Sequence, residues 1–467
     1  MRGRKGGDAF TNSVGCHSVM GPAESVSSIE DQDLGKVAII GAGVAGSAAA
    51  IRFAQRGVKV TLFERSVFPR EKVCGCCLGA AGLAALDAIG VGESIRDLGL
   101  PTKFFRGYFQ VAKASPTATQ VTEEKRSRVP AVRIPIREGI ALSRAELDQH
   151  LLNLAIEAGV QVRQPCEATI VAESGESVSI DAGTGSPKTF DLVVVAAGLT
   201  GRFRQRNAAD LRWLETPNGP MGLSAHMNCD RAKEIGWSLQ VGEIQMHCGH
   251  DGYVGIVCLP NGSLDIAATV HSGKKIPSVM GGGKMAIQMK TLALLLDSGL
   301  FDSLQSRKLK HWFAEVACWQ TTPPLRRRRV SGRGRVVAIG DAAGYVEPLT
   351  GEGMTWGIES GLAVADSWAL YRLGQMTANG EADFGANWDR RAAKFQTRRR
   401  YLCRWVTGMV RYRPARWLAC HVLRRAHWLA TPFTRSLANG PRFDATSSIH
   451  RTASSFADAS LRTHVSS

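Results

Sequence analysis

The chain has 467 residues, a hydrophobic fraction of 44% and a formal net charge of +17. That length predicts two domains with tails, and the longest uncharged apolar run, Val37 to Ile51, falls short of the roughly 18 residues a membrane-spanning helix needs. Eleven cysteines, an odd number scattered along the chain, do not make a disulfide framework, and no apolar block follows the basic N-terminus, so a cytoplasmic protein without a secretory signal is expected.

Residues 1–35 are Gly- and Ser-rich, lack periodicity and are expected to be disordered. From Lys36 to Arg65 an apolar run enters Gly41-Ala-Gly43-Val-Ala-Gly46, an Ala-rich helical segment follows, and a second β-branched run ends at Glu64. This is a βαβ unit for a dinucleotide. Gly41 allows the tight turn, Gly43 lets the backbone approach a pyrophosphate on the helix N-terminus, and Gly46 lets helix and strand pack closely. Glu64 is placed to accept hydrogen bonds from a ribose.

The loop Phe68 to Ala80 leads to a helix around Leu83 to Ile89. Cys74, Cys76 and Cys77 invite a zinc reading, but no second Cys pair or His pair stands at a matching spacing, so no metal is expected. Ser143-Arg-Ala-Glu146 reads as a capping box that starts a helix ending at Gly159. Arg144, in its first turn, either reaches a cofactor phosphate or is an exposed helix-start arginine. Phe190 to Gly198 reads as a buried parallel strand whose following loop lies at the carboxyl edge of the sheet, where ligands bind.

Beyond about Arg206 the pattern changes to short alternating segments, Leu223 to Met227, Ser238 to Met246, Tyr253 to Leu259 and Leu264 to Val270. They predict an antiparallel meander, followed by a helix near Met285 to Leu296. The predicted organisation is a first part of the nucleotide domain at 36–205, an inserted substrate domain at 206–330, and the second part of the nucleotide domain at 331–380. There Arg335 to Asp341 is a buried strand ending in an acid, and Pro348, Gly351, Gly353 and Met354 lead into a helix to about Leu370. An Asp at a strand end can bind a polyol hydroxyl, and glycine amides at a helix N-terminus can stabilise a developing anion. A flavin, with its ribityl chain and a carbonyl that becomes anionic on reduction, needs both.

Residues 381–440 form a basic helical region. From Arg390 to Phe443 there is no Asp or Glu, and Arg is interleaved with Trp405, Trp417 and Trp428, with Trp388 just before. Such a helix either lies on an anionic membrane, here the inner face, or packs on the flavin domain through its Trp faces. Nucleic acid is a weaker partner reading, because no recognised binding module accompanies the charge. Residues 441–467 are polar and expected to be disordered.

The order of these pieces resembles the FAD-dependent family typified by para-hydroxybenzoate hydroxylase and geranylgeranyl reductase. Three segments carry the likeness: Gly41 to Gly46 with Glu64 and Arg65, the strand ending at Ala196-Ala-Gly198, and Gly340 to Met354. The resemblance implies an α/β fold with a Rossmann-type FAD-binding domain, GR2-like. It implies that Glu64 holds the adenosine ribose, Asp341 after Gly340 the ribityl chain, and Pro348, Gly351 and Gly353 the pyrimidine edge of the flavin. Phe68 to Gly75 and the Gly-Glu-Gly of 351–353 look like the geranylgeranyl reductase branch, in which Cys74 would lie over the flavin ring. Ala197, where the family usually has Asp, and Gly344, where it commonly has His, are departures.

The leading expectation is an FAD-dependent oxidoreductase that reduces a carbon-carbon double bond of an isoprenoid-like or polyketide-like molecule, with Cys74 and Tyr253 as candidate proton donors. A flavin monooxygenase acting on an aromatic or polyketide substrate is the alternative, and a membrane-associated flavin redox sensor without turnover is a third reading. No second Gly-x-Gly-x-x-Gly unit exists for NAD(P)H, so that donor binds transiently or a separate reductase supplies the electrons.

Overall fold

The computed structural model describes residues 33–109, 131–183, 185–207, 211–271, 283–316, 319–347, 349, 351–375 and 383–438. Almost all of the tail expected at 1–35, and all of that at 441–467, lies outside the described residues. The opening unit consists of β1 (Lys36–Ile40), α1 (Val44–Gln55) and β2 (Lys59–Phe63). Next come β3 (Cys77–Leu78), β4 (Leu100–Phe109), β5 (Ala131–Ala141), α2 (Arg144–Glu157), β6 (Gln161–Arg163) and β7 (Leu192–Val195). The middle region supplies β8 (Met221–Met227), β9 (Glu243–Cys248), β10 (Gly252–Cys258), β11 (Leu264–Val270) and β12 (Gln320–Thr321). Then β13 (Gly332–Arg333) and β14 (Val336–Ala338) precede α3 (Gly353–Arg372), α4 (Phe384–Arg411), α5 (Arg413–Arg425) and α6 (Thr431–Ala438).

The first sheet has the order β13-β14-β7-β1-β2-β6, parallel except for the β13 edge. Its central strands are continuous apolar runs because both faces are covered: all four residues of Leu192–Val195 are buried. On one face α1 lies against α3 at very short range. A Cβ on Gly361 would come within 2.7 Å of the Ala45 carbonyl oxygen, and one on Gly357 within 3.3 Å of the Ala45 Cβ. The small residues along both helices therefore set how near α3 brings its N-terminus to the glycine turn. The helix start at Ser143 differs in detail from a full capping box. Ser143 accepts from the Glu146 amide as expected, but its hydroxyl donates to the Glu146 carboxylate at 2.8 Å, so the Glu side chain meets the hydroxyl of the cap residue.

The second sheet runs β12-β8-β11-β10-β9-β4-β5-β3. Only five of these eight strands come from 206–330; β3, β4 and β5 come from before it. Pairing β9 in parallel with β4 covers an edge that a self-contained insert would leave open. The expected meander holds for β9, β10 and β11, whereas β8 pairs with β11. Register then decides neighbours: His226 on β8 stands opposite Asp265 on β11.

Of the tail tryptophans, Trp388 is buried in the first domain's core and its indole N–H donates to the Ala338 carbonyl at 3.0 Å. Trp405, Trp417 and Trp428 are exposed. Among the described residues no helix is long and apolar enough to cross a membrane.

Candidate active site

Four parallel strands end at one cavity of about 330 Å³. Ile40 and Gly41 close β1, Phe63 and Glu64 close β2, Ala196 follows β7, and Ile339 and Asp341 follow β14. Gly41 has φ +109°, and a Cβ there would meet the Ala196 carbonyl oxygen at 2.5 Å; a Cβ on Gly46 would stand 1.8 Å from the Gly41 carbonyl oxygen. Glycine is thus required at both positions. Gly43 is the N-cap of α1 and supplies no side-chain cap, which leaves the first-turn amides for an anion. A Cβ on Gly43 would lie 3.4 Å from Lys72 Nζ and 3.8 Å from Arg144 Nη2, so two cations overlook the same turn.

Buried Asp148 holds both cations, accepting from Lys72 at 2.5 Å and from Arg144 at 2.9 Å. Burial lowers the pKa of Lys72. Burial also opposes the charge of Arg144, but Asp148 and Cys74 outweigh it and hold the guanidinium more firmly protonated than usual. Buried Glu64 accepts from the Ala42 amide through Oε2 and from the Ser66 amide through Oε1, both at 2.9 Å, and each oxygen has a further lone pair. Burial pushes the Asp341 carboxyl up to about 6, while Arg144 and Arg327 pull the other way.

A second cavity of about 220 Å³ meets the first along Arg144, Leu199, Asp341, Gly353 and Met354. Its other walls are largely apolar, with Leu78, Phe105, Ile136, Ile244, Met246 and Ile256 among them, and it is floored by the second sheet. Cys74, Tyr253 and Gly351 all face it. The Cys76 thiol as hydrogen-bond donor, with Arg144 adding its charge, draws Cys74 below the range of a free thiol. Burial raises the Tyr253 phenol well above its ordinary value, and the neighbouring Thr269 hydroxyl pulls the other way.

Gly41, Gly43, Glu64, Arg65, Arg144, Asp341, Gly353 and Met354 therefore share the first cavity, while Cys74, Tyr253 and Gly351 lie in the second. Gly46 and Gly340 line neither. Gly340, at φ +56°, brings its backbone against Ala45, and its amide donates to Ser360 Oγ at 2.9 Å. Pro348 lies outside the described residues. Sequence reasoning missed Lys72 and Asp148. The four-residue step from Arg144 to Asp148 along one helix face was a readable signal for the acid; Lys72, 76 positions away, had none.

A cradle of free amides and two cations beside a buried acid, with a further acid at the end of a neighbouring strand, suits the phosphates, ribose and ribityl chain of FAD. The chain matches the FAD binding domain family model over residues 35–224. It is 26% identical over 354 residues to the menaquinone reductase of Mycobacterium tuberculosis H37Rv, covering 73% of this chain and 79% of that one. It is 24% identical over 352 residues to the kynurenine 3-monooxygenase of Salinispora arenicola, covering 69% and 70%. The fold matches Klebsiella pneumoniae HpxO complexed with FAD and uric acid, with TM-score 0.62 and 16% identity over 87% of this chain and 97% of that one. Residues 35–224 carry an FAD-binding domain, similar to that of FAD-dependent monooxygenases and reductases. The protein is an FAD-dependent oxidoreductase.

Proposed function

We propose that the protein is a flavin monooxygenase that hydroxylates an apolar aromatic or polyketide-like substrate held in the second cavity. The observation that carries this reading is the apolar cavity that shares its wall with the FAD cavity at Arg144, Asp341, Gly353 and Met354. Bound and reduced, FAD would activate dioxygen so that one oxygen atom reaches the substrate and the other leaves as water, and the apolar walls keep out the solvent that would waste it. The first-turn amides of α1, with Lys72 and Arg144, would hold the pyrophosphate. Glu64 would take the adenosine ribose with Arg65 beside it, Asp341 the ribityl hydroxyls, and the Gly351 and Gly353 amides the pyrimidine edge. Tyr253, buried and neutral, would donate to a substrate oxygen. NAD(P)H or a separate reductase supplies the electrons. The kynurenine 3-monooxygenase relative supports oxygenation.

A second reading, reduction without oxygen, is favoured by the menaquinone reductase relative, and we take the reduced bond to be a carbon-carbon double bond. It is also the reading suggested by the likeness of Phe68 to Gly75 and Gly351 to Gly353 to geranylgeranyl reductases. In that case the same cavity takes an isoprenoid chain, and Tyr253 or Cys74 gives a proton to one carbon as hydride reaches the other. The test is to supply reductant and a quinone or phenol to purified holoenzyme with and without oxygen. Oxygen uptake equal to product formed supports hydroxylation, and product formed anaerobically overturns it.

The substrate's apolar character fits delivery from an anionic bilayer. Trp405, Trp417, Leu418, Trp428 and Leu429 are exposed beside Arg404, Arg413, Arg424 and Arg425, and Thr434 of the adjoining α6 lines the substrate cavity. Aromatic and basic side chains together favour the interface of such a membrane. Sedimentation with anionic vesicles should fall sharply for a W405A/W417A/W428A variant; equal sedimentation would refute the docking.

A further inference from the structure

Cys76, His226 and Asp265 come from three segments far apart in sequence and meet beside the substrate cavity. One ligand atom of each, Sγ, an imidazole nitrogen and a carboxylate oxygen, lies within 4.8 Å of the other two. His226 and Asp265 are directly opposed on β8 and β11, so the sheet's register places both side chains on one face. His226 Nε2 stands 3.2 Å from Asp265 Oδ1. That is the face toward the cavity, for Ala267, two residues along β11, lines it, as do Cys74, Gly75 and Cys77 around Cys76.

Two observations set this cluster apart from an ordinary ion pair. Asp265 is 1% exposed, and the groups that face its carboxylate are His226 and Cys76 themselves, neither in full hydrogen-bonding geometry. A buried carboxylate with no neighbours beyond those two groups keeps lone pairs for a cation that all three can share. Cys76 is also 1% exposed and is the sole non-glycine residue with positive φ, +48°, among the described residues. A cysteine is held in the left-handed region only when its surroundings impose it, and here that conformation turns Sγ inward to the acid and the imidazole.

We propose that Cys76, His226 and Asp265 form a binding site for a divalent cation of the zinc class. One thiolate, one imidazole and one carboxylate are the mixed S, N and O donors that zinc accepts in tetrahedral geometry, and neighbouring donors around such an ion stand roughly 3.5 Å apart. Small rotamer adjustments bring the three atoms to that spacing. Water completes the coordination, and Glu71, whose Oε2 lies 3.9 Å from His226 Nε2, flanks the site and adds its negative charge. Binding releases the Cys76 proton, and His226 binds as the neutral ring. The ion ties the Glu71 to Cys77 loop to the second sheet and so fixes Cys74 and Gly75 as a wall of the substrate cavity. This reverses the expectation drawn from cysteine spacing, which looked for a second Cys or His pair along the chain. The remaining ligands are instead brought together by strand pairing.

The test uses full-length, tag-free holoenzyme purified without chelator, with metal content by mass spectrometry and FAD by absorbance. One zinc per chain is expected. Co(II) exchanged into the site should give d–d bands beyond the flavin absorption together with a thiolate charge-transfer band. C76S and D265N should each lose the metal while keeping FAD, E71Q should weaken binding several-fold, and C258S, altered at a cysteine outside the cluster, should keep one equivalent. Substoichiometric metal in the wild type, with no uptake of added Zn(II) or Co(II), would overturn the proposal. So would unchanged metal content in FAD-loaded C76S and D265N.

Discussion

The cavity at the strand ends and the apolar cavity beside it share a wall but are built by different means. The first is made by backbone: glycines, a helix N-terminus and strand ends, with Glu64 following directly on β2 and Asp341 in the short turn that begins two residues after β14. The second is made by side chains that meet across strands, such as Phe105 and Ile136 on β4 and β5 with Ile244 on β9 and Tyr253 on β10. Backbone constraints leave a local mark in sequence because only glycine satisfies them. Cross-strand constraints leave almost none, because they depend on which strand lies beside which.

Substitutions should therefore separate the two regions. The largest effect is expected for Gly46→Ala, whose Cβ would stand 1.8 Å from the Gly41 carbonyl oxygen. Backbone must move, at a cost of about 1–3 kcal/mol or more. Purified protein should be largely free of FAD and melt at lower temperature; a yellow, stable G46A would break the account of the first cavity.

Next comes Asp341→Ala. Loss of a charge-assisted hydrogen bond worth about 1.5–3 kcal/mol should weaken FAD binding roughly ten- to a hundredfold, read by fluorescence titration of the apoprotein. The same carboxyl predicts a pH dependence. In the apoprotein burial raises it to about 6, and the ribityl hydroxyls favour its ionised form. Below that value a proton must leave for FAD to bind, so affinity should fall by up to about tenfold per pH unit as pH drops through 6, and be flat above it. The D341A variant should lose this dependence.

The smallest effect belongs to the second cavity. Tyr253→Phe removes one neutral hydrogen bond, about 0.5–1.5 kcal/mol, and should lower kcat/KM by roughly two- to tenfold with FAD content unchanged. A Y253F protein that loses FAD would show that the two regions are not separable.

The nucleotide unit, the Gly340-Asp341 strand end and the split between them were legible because each is a short pattern with its own steric reason. Residues read as one group, such as Gly41 and Asp341, do converge on one cavity. The second sheet was legible only in part: alternation marked its later strands, but nothing in 206–330 announces that β9 pairs with β4, more than a hundred residues earlier. The same limit hid the approach of His226 and Asp265 to Cys76. In the tail, composition showed a basic, Trp-bearing region but could not separate buried Trp388 from exposed Trp405, Trp417 and Trp428.

The central claim is that the apolar cavity delivers oxygen to a bound aromatic. Turnover under oxygen-18 gas, followed by mass spectrometry of the product, tests it most directly. One labelled oxygen atom per product molecule is predicted; a product that is two hydrogens heavier, unlabelled and formed equally well without oxygen would contradict it.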